Sequence, residues 1–195
     1  MPVSARKERE RAERHRLIVR TARDLAEAEG WGAVTTRRLA ERIEYSQPVL
    51  YSHFRGKDEI VDAVAVEGFA ELAVALRAAA DGAEVGTAAG PRATATAVAH
   101  AYLAFAERSP ALYDAMFSLH SGLVFADEAT PAPLRAGFDA LRGPLGETSA
   151  QVDPGLLTEV LWAGLHGLVT LTRAGRLPGE HTARRIEILV DRLTG

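Results

Sequence analysis

Thr36, Arg37, Gln47, Tyr51, His53 and Lys57 are side chains of the kinds that grip nucleic acid, and they fall within one short stretch. A glutamine amide pairs with two atoms of an adenine edge, and an arginine guanidinium with two of a guanine edge. Gln47 and Arg37 are therefore candidate base readers. Thr36, Tyr51, His53 and Lys57 offer hydroxyl, imidazole and ammonium groups suited to phosphate oxygens. Lys57 also stands where a helix would begin, and helix-start amides favour an anion. Each has a plainer alternative: Gln47 and Arg37 as solvated polar residues, Tyr51 as a core aromatic.

These side chains need elements to aim them. From about Arg9 to Glu29, Leu17, Ile18, Thr21, Ala22, Leu25 and Ala26 recur at spacings of three and four, the period of an amphipathic helix. Gly30 is a good terminator, because glycine takes the left-handed conformation without steric cost, and Trp31 reads as core. Thr35 is placed to cap a second helix, 36–43, that turns Leu39, Ala40 and Ile43 inward. Glu44-Tyr45 reads as a tight turn. Ser46 or Gln47 would cap a third helix running to about Phe54, with Pro48 in its first turn, where the missing N–H is not needed. Leu50 and Phe54 would face inward, and Arg55-Gly56 would break the helix. Three helices, the second and third joined by a short turn, describe a helix-turn-helix, whose third helix enters the major groove.

The stretch Thr35-Thr36-Arg37-Arg38-Leu39-Ala40-Glu41-Arg42-Ile43, followed by Ser46-Gln47-Pro48-Val49-Leu50-Tyr51-Ser52-His53-Phe54-Arg55-Gly56-Lys57, resembles the DNA-binding domain of the tetracycline-repressor (TetR) family. The resemblance covers roughly residues 15–65, and the Gln47-Pro48 pair is especially similar. It implies an all-helical homodimeric repressor with a variable C-terminal domain, in which a small-molecule effector releases a double-stranded DNA operator. Glu44 departs from the pattern, since the family usually has glycine in the turn. A non-glycine residue with positive φ costs roughly 1 kcal/mol or more. A second resemblance, Leu161-Trp162-Ala163-Gly164-Leu165-His166-Gly167, is to the Trp-x-x-x-His-Gly segment of a subgroup of these regulators.

Composition narrows the classes. The chain has 195 residues, no cysteine and a net charge of −3, so disulfides, thiolate metal sites and cysteine nucleophiles are excluded. Residues 1–60 carry 13 basic and 10 acidic side chains, whereas residues 61–195 carry 10 and 16. A basic head on an acidic body suits a DNA-binding domain joined to one with another task. The Arg6–Arg16 run itself reads equally as a DNA arm or as a solvated charged helix. The six histidines (15, 53, 100, 120, 166 and 181) show no close metal spacing. No Gly-x-Ser-x-Gly elbow or Gly-rich phosphate loop occurs. The expectation is a protein that is not an enzyme and has no cofactor or metal. Met1–Arg20 lacks the apolar core of a signal peptide, and no apolar run approaches bilayer-crossing length, so a cytoplasmic protein without membrane contact is expected.

Beyond Lys57 the pattern stays helical: a long helix to about Ala80, a Gly/Ala-rich loop at 81–91, then helices near 92–107, 110–120, 133–150 (divided at Pro144), 154–173 and 180–193. The fold class is all-α, with a helix-turn-helix domain at 1–60 and a helical ligand-binding and dimerisation domain at 61–195. Tyr102, Phe105, Met116, Phe117, His120, Phe138, Trp162 and His166 are candidate pocket residues. They would suit a largely apolar, neutral or weakly charged effector; the plainer reading is packed core. Trp162 and His166 share a helix face, and Ala163, Gly164 and Gly167 permit close helix approach. The last two helices have apolar residues on more than one face, as a four-helix bundle with a second copy would need. The competing function is a DNA-binding architectural or adaptor protein that takes no ligand.

Overall fold

The computed structural model describes residues 3–84, 90–119, 122–125, 127–145 and 152–194, and among them there is no strand. The helices are α1 (Val3–Glu29), α2 (Thr36–Arg42), α3 (Gln47–Tyr51), α4 (Lys57–Glu84), α5 (Pro91–Arg108), α6 (Pro110–Phe117), α7 (Ala132–Arg142), α8 (Pro154–Arg173) and α9 (Thr182–Thr194). Three short 3-10 turns lie at Trp31–Ala33, Gly143–Leu145 and Gly179–His181. Contacts gather the chain into two compact units. One comprises residues 1–68 and 109–129, the other 69–108 and 130–195, and α4 contributes to both.

In the first unit, Ile18, Ala22 and Leu25 of α1 are fully buried, with Leu39 of α2, Leu50 of α3 and Ile60 and Val64 of α4. Thr35 caps α2 as its position predicts, its hydroxyl accepting from the Arg38 N–H at 3.2 Å. Arg38 in turn grips the Glu29 carboxylate with both terminal nitrogens at 2.9–3.0 Å, which ties α2 to the end of α1. Trp31 is buried, and its indole N–H donates to the Ala111 carbonyl at 2.7 Å. Gly68 brings α6 close: a Cβ there would meet Met116 Sδ at 2.7 Å and a Leu112 methyl at 2.8 Å.

The α2–α3 turn is a Schellman motif. The Tyr45 N–H reaches the Ala40 carbonyl at 2.9 Å, the Glu44 N–H faces the Glu41 carbonyl at 3.4 Å, and Glu44 holds φ at 58°. The same motif ends α8, where the Arg176 N–H donates to Leu171 and Gly175 takes the left-handed position at φ 67°. One chain thus builds the same cap with glycine at one site and glutamate at the other.

In the second unit, Val98, Ala99 and Tyr102 of α5, Leu161 and Leu165 of α8 and Ile186 and Val190 of α9 are buried. The Asp153 carboxylate caps α8, accepting from the Gly155 and Leu156 N–H groups at 2.8 and 3.0 Å. Gly164 lets Leu189 of α9 lie directly on α8, where a Cβ would meet its methyl at 2.8 Å. Arg92 pairs with Asp191 across α5 and α9 at 2.5 Å. Of the segment expected at 133–150, α7 covers 132–142 and ends in the 3-10 turn at Pro144, and residues 146–150 lie outside the described residues. One expectation needs amending: by length and composition alone, α8 is apolar enough to cross a bilayer.

Glu44→Gly should remove left-handed strain of about 1–2 kcal/mol and lose about 0.4–1 kcal/mol to unfolded-chain entropy. Urea denaturation should show a net stabilisation of up to about 1.6 kcal/mol, whereas Glu44→Val, β-branched in a left-handed site, should destabilise by more than about 1 kcal/mol. Indifference to both changes would mean that the turn carries no strain.

Candidate nucleic-acid interface

α3 is short because Pro48 starts it and the Ser52–Arg55 turn ends it. Its buried side is Leu50, followed by Phe54; Gln47, Pro48 and Tyr51 are exposed on the other. Tyr51 is 53% exposed, unusual for a large aromatic, and its hydroxyl lies 3.4 Å from that of Thr36 at the start of α2. Thr36, Tyr51 and the α3 edge therefore form one surface. The plainer reading of Tyr51 as core does not hold.

Arg37 is also exposed, but its Nε donates to Glu41 at 2.9 Å one turn along α2. That hydrogen bond and the carboxylate charge raise its pKa. A fully exposed pair of this kind is screened by solvent and weak, so a base edge can compete for the guanidinium. Lys57 is turned inward: its ammonium donates to the Trp31 carbonyl. A phosphate would meet only its remaining N–H groups.

His53 lies partly buried at the end of this edge. Burial lowers its pKa first, and the positive charges of Arg11, His15 and Arg14 lower it further. The His15 ring packs on Phe54 with centroids 4.6 Å apart and lies 6.5 Å from the His53 ring. The loop that follows is stapled by Glu59, which accepts from the Arg55 backbone N–H at 2.5 Å and from its guanidinium at 2.8 Å. These bonds hold the exposed Glu59 carboxyl below its ordinary pKa.

The pocket candidates fall in both compact units. Met116 and Phe117 belong to the first unit, where Met116 packs over Gly68 and Phe117 lies against Tyr113 with centroids 4.7 Å apart. Tyr102, Phe105, Phe138, Trp162 and His166 belong to the second, and His120 lies outside the described residues. Tyr102 is fully buried and Phe105 nearly so, and the Trp162 indole N–H donates to the Tyr102 hydroxyl at 3.1 Å. Half-burial lowers the pKa of His166. Two clefts of the second unit, of about 430 and 590 Å³, are lined by other residues, among them Arg77, Asp81 and Asp139 in the first and Arg92 and His100 in the second. Among the described residues no three His, Cys, Asp or Glu side chains stand close enough to share a metal ion.

An exposed recognition helix on a packed three-helix head, followed by further helices, defines a helix-turn-helix regulator. Residues 18–64 match the family described as "Bacterial regulatory proteins, tetR family", and residues 95–194 match "Tetracyclin repressor-like, C-terminal domain". The chain belongs to the tetracycline-repressor family, whose members are DNA-binding transcriptional regulators and not enzymes. Over 54 residues it is 46% identical to the class A tetracycline repressor protein from transposon 1721 of Escherichia coli, a match spanning 28% of this chain and 25% of the relative's length. Among solved structures, a protein of unknown function from Rhodococcus sp. RHA1 is 27% identical with a TM-score of 0.72, covering 92% of each chain. The regulator FadR from Bacillus subtilis, solved with stearoyl-CoA, is 12% identical with a TM-score of 0.67, covering 93% of this chain and 98% of its own.

Both His53 and His166 are held below the ordinary value of 6.5. The unfolded chain takes up protons on these groups more readily, so their contribution is fully present above that value and is lost as the pH falls below it. Thermal melts between about pH 7.5 and 5.5 should show a falling Tm, less steep in His53→Gln/His166→Gln. Equal slopes would mean that these two imidazoles are not the cause.

Proposed function

We propose that this chain is a homodimeric, ligand-responsive repressor, with residues 1–60 as its DNA-binding domain and 61–195 as its ligand-binding and dimerisation domain. The carrying observation is the exposed Gln47–Pro48–Tyr51 edge of a short α3 whose opposite side is locked into the core. In this reading Gln47 and Arg37 meet base edges, Pro48 sets the approach of α3, and Thr36, Tyr51, His53 and Lys57 meet phosphates. Dimerisation is supported by α8, where Leu156, Val160, Ala163 and Leu171 form an exposed stripe at spacings of four, three and eight, with Ile188 of α9 exposed as well. A second copy covering this stripe would form a four-helix bundle. The same cover accounts for the apolar outside of α8 in a cytoplasmic protein.

Selection from a random duplex library tests the recognition and the symmetry together. The enriched sequences should be pseudo-palindromes with half-sites one helical turn, or a multiple of it, apart. Gln47→Ala should relax preference at one base pair per half-site, at about 1–3 kcal/mol. Light scattering should give twice 20.9 kDa, and Val160→Glu should lower both the mass and the affinity. Failure to enrich any sequence, or a monomer at micromolar concentration, would overturn the reading.

The effector site is proposed at Tyr102, Trp162 and His166, with Phe105, Met116, Phe117, His120 and Phe138 as the further candidates. The supporting observation is the Trp162–Tyr102 hydrogen bond, a polar handle set in apolar surroundings. Tyr102 is fully buried, so a ligand would have to open the site. Screening apolar compounds for release of the selected duplex should find one that changes Trp162 fluorescence and loses potency in Trp162→Phe. If potency is unchanged, the pocket lies elsewhere. If no compound either releases the duplex or shifts the Tm, the ligand-independent DNA-binding adaptor is favoured.

A further inference from the structure

α1 begins at Val3, fifteen residues before the family match at residue 18, and its early turns change the chemistry of its inward stripe. In the second half of the helix that stripe is Ile18, Ala22 and Leu25, all fully buried. Continued backward at spacings of four and three, the same stripe reads Arg14, Arg11 and Lys7. Where α1 runs past the three-helix core, its apolar face becomes a cationic one.

That face continues the candidate DNA edge. His15, on the same side, lies on Phe54 and near His53, next to the exposed end of α3. Arg11 and Arg14 stand near enough to His53 to disfavour its protonation. Glu10 offsets part of the charge, pairing with Arg6 at 2.8 Å and Arg14 at 3.6 Å. Among the described residues Arg11 makes no ion pair, and with Arg14 it disfavours a further positive charge on His53, so this edge carries excess positive charge. Such an arrangement lowers its free energy by acquiring an anion, and a duplex docked on α3 supplies phosphates along this edge.

Resting on the regulator reading above, we propose that Arg11 and Arg14 of α1 bind the phosphodiester backbone flanking each half-site, extending the DNA footprint beyond the helix-turn-helix. The partner is sequence-neutral, so these contacts add affinity and salt dependence but no base preference. The side chains opposite on the helix, Arg16 and Arg20, are exposed and face away from this edge.

Arg11→Gln/Arg14→Gln and Arg16→Gln/Arg20→Gln remove equal charge from opposite faces of α1. Binding is measured over a range of salt concentrations on the selected duplex and on a random-sequence duplex. The first pair should reduce the slope of log affinity against log salt by about two per half-site, nearly four for the dimer, at about 0.9 per lost phosphate contact. It should do so on both duplexes and leave base preference and Tm unchanged. The second pair should leave the slope near that of the parent protein. Equal reductions by both pairs, or none by the first while sequence preference persists, overturn this inference and leave the regulator reading intact. No binding to either duplex overturns both.

Discussion

A helix start leaves its first amide N–H groups without intrahelical partners, and in the first compact unit a side chain far away in sequence satisfies those of α6. The Glu27 carboxylate of α1 accepts from the Ala111 and Leu112 N–H groups at 3.1 and 3.0 Å. Four residues on, the Trp31 indole donates to the Ala111 carbonyl, and the Trp31 carbonyl receives a hydrogen bond from the Lys57 ammonium. The end of α1, the first turn of α6 and the start of α4 are thereby joined around one buried indole. The carboxylate also places negative charge at the positive end of a helix dipole. The recognition helix depends on this arrangement, because α3 hangs between α2, which Arg38 ties to Glu29 on α1, and α4, whose first residue is the bonded Lys57.

The parts of the fold governed by local rules were legible in the sequence. The Thr35 cap, Pro48 opening α3, the inward Leu50 and Phe54, and the bounds of α8 all follow from neighbours within a turn or two, and the structure has them where expected. The left-handed Glu44 was signalled only through the family resemblance, in which glycine usually stands in this turn. What escaped were pairings between residues about 80 apart, such as Glu27 and Trp31 with Ala111, which carry no periodic signal. The early start of α1 was missed because its Arg/Glu run has no apolar stripe. Its order is consistent with ion pairs such as Arg6–Glu10.

The candidate sites differ in the same way. The candidate DNA-contact residues sit on one short segment, so their placement together needed only the helix period. The pocket residues were grouped by composition alone. Composition does not say that Met116 covers Gly68 in one compact unit, or that the Tyr102 hydroxyl accepts from Trp162 in the other. Lys57 shows a subtler limit: the ammonium that suits a phosphate also suits a buried carbonyl, and the sequence does not choose between them.

Gly68 carries a consequence for genetics. The side chain it lacks leaves the room that Leu112 and Met116 of α6 occupy. Any Cβ at position 68 forces the Met116 and Leu112 side chains to shift and, where they cannot give, α6 itself, whose first turn is fastened to Glu27 and Trp31. A displacement of α6 is therefore carried to the end of α1, on which α2 is anchored through Glu29 and Arg38. In a screen for alleles that lose DNA binding, a substitution at this glycine would score beside changes in the recognition helix itself. Its map position would point to no surface at all.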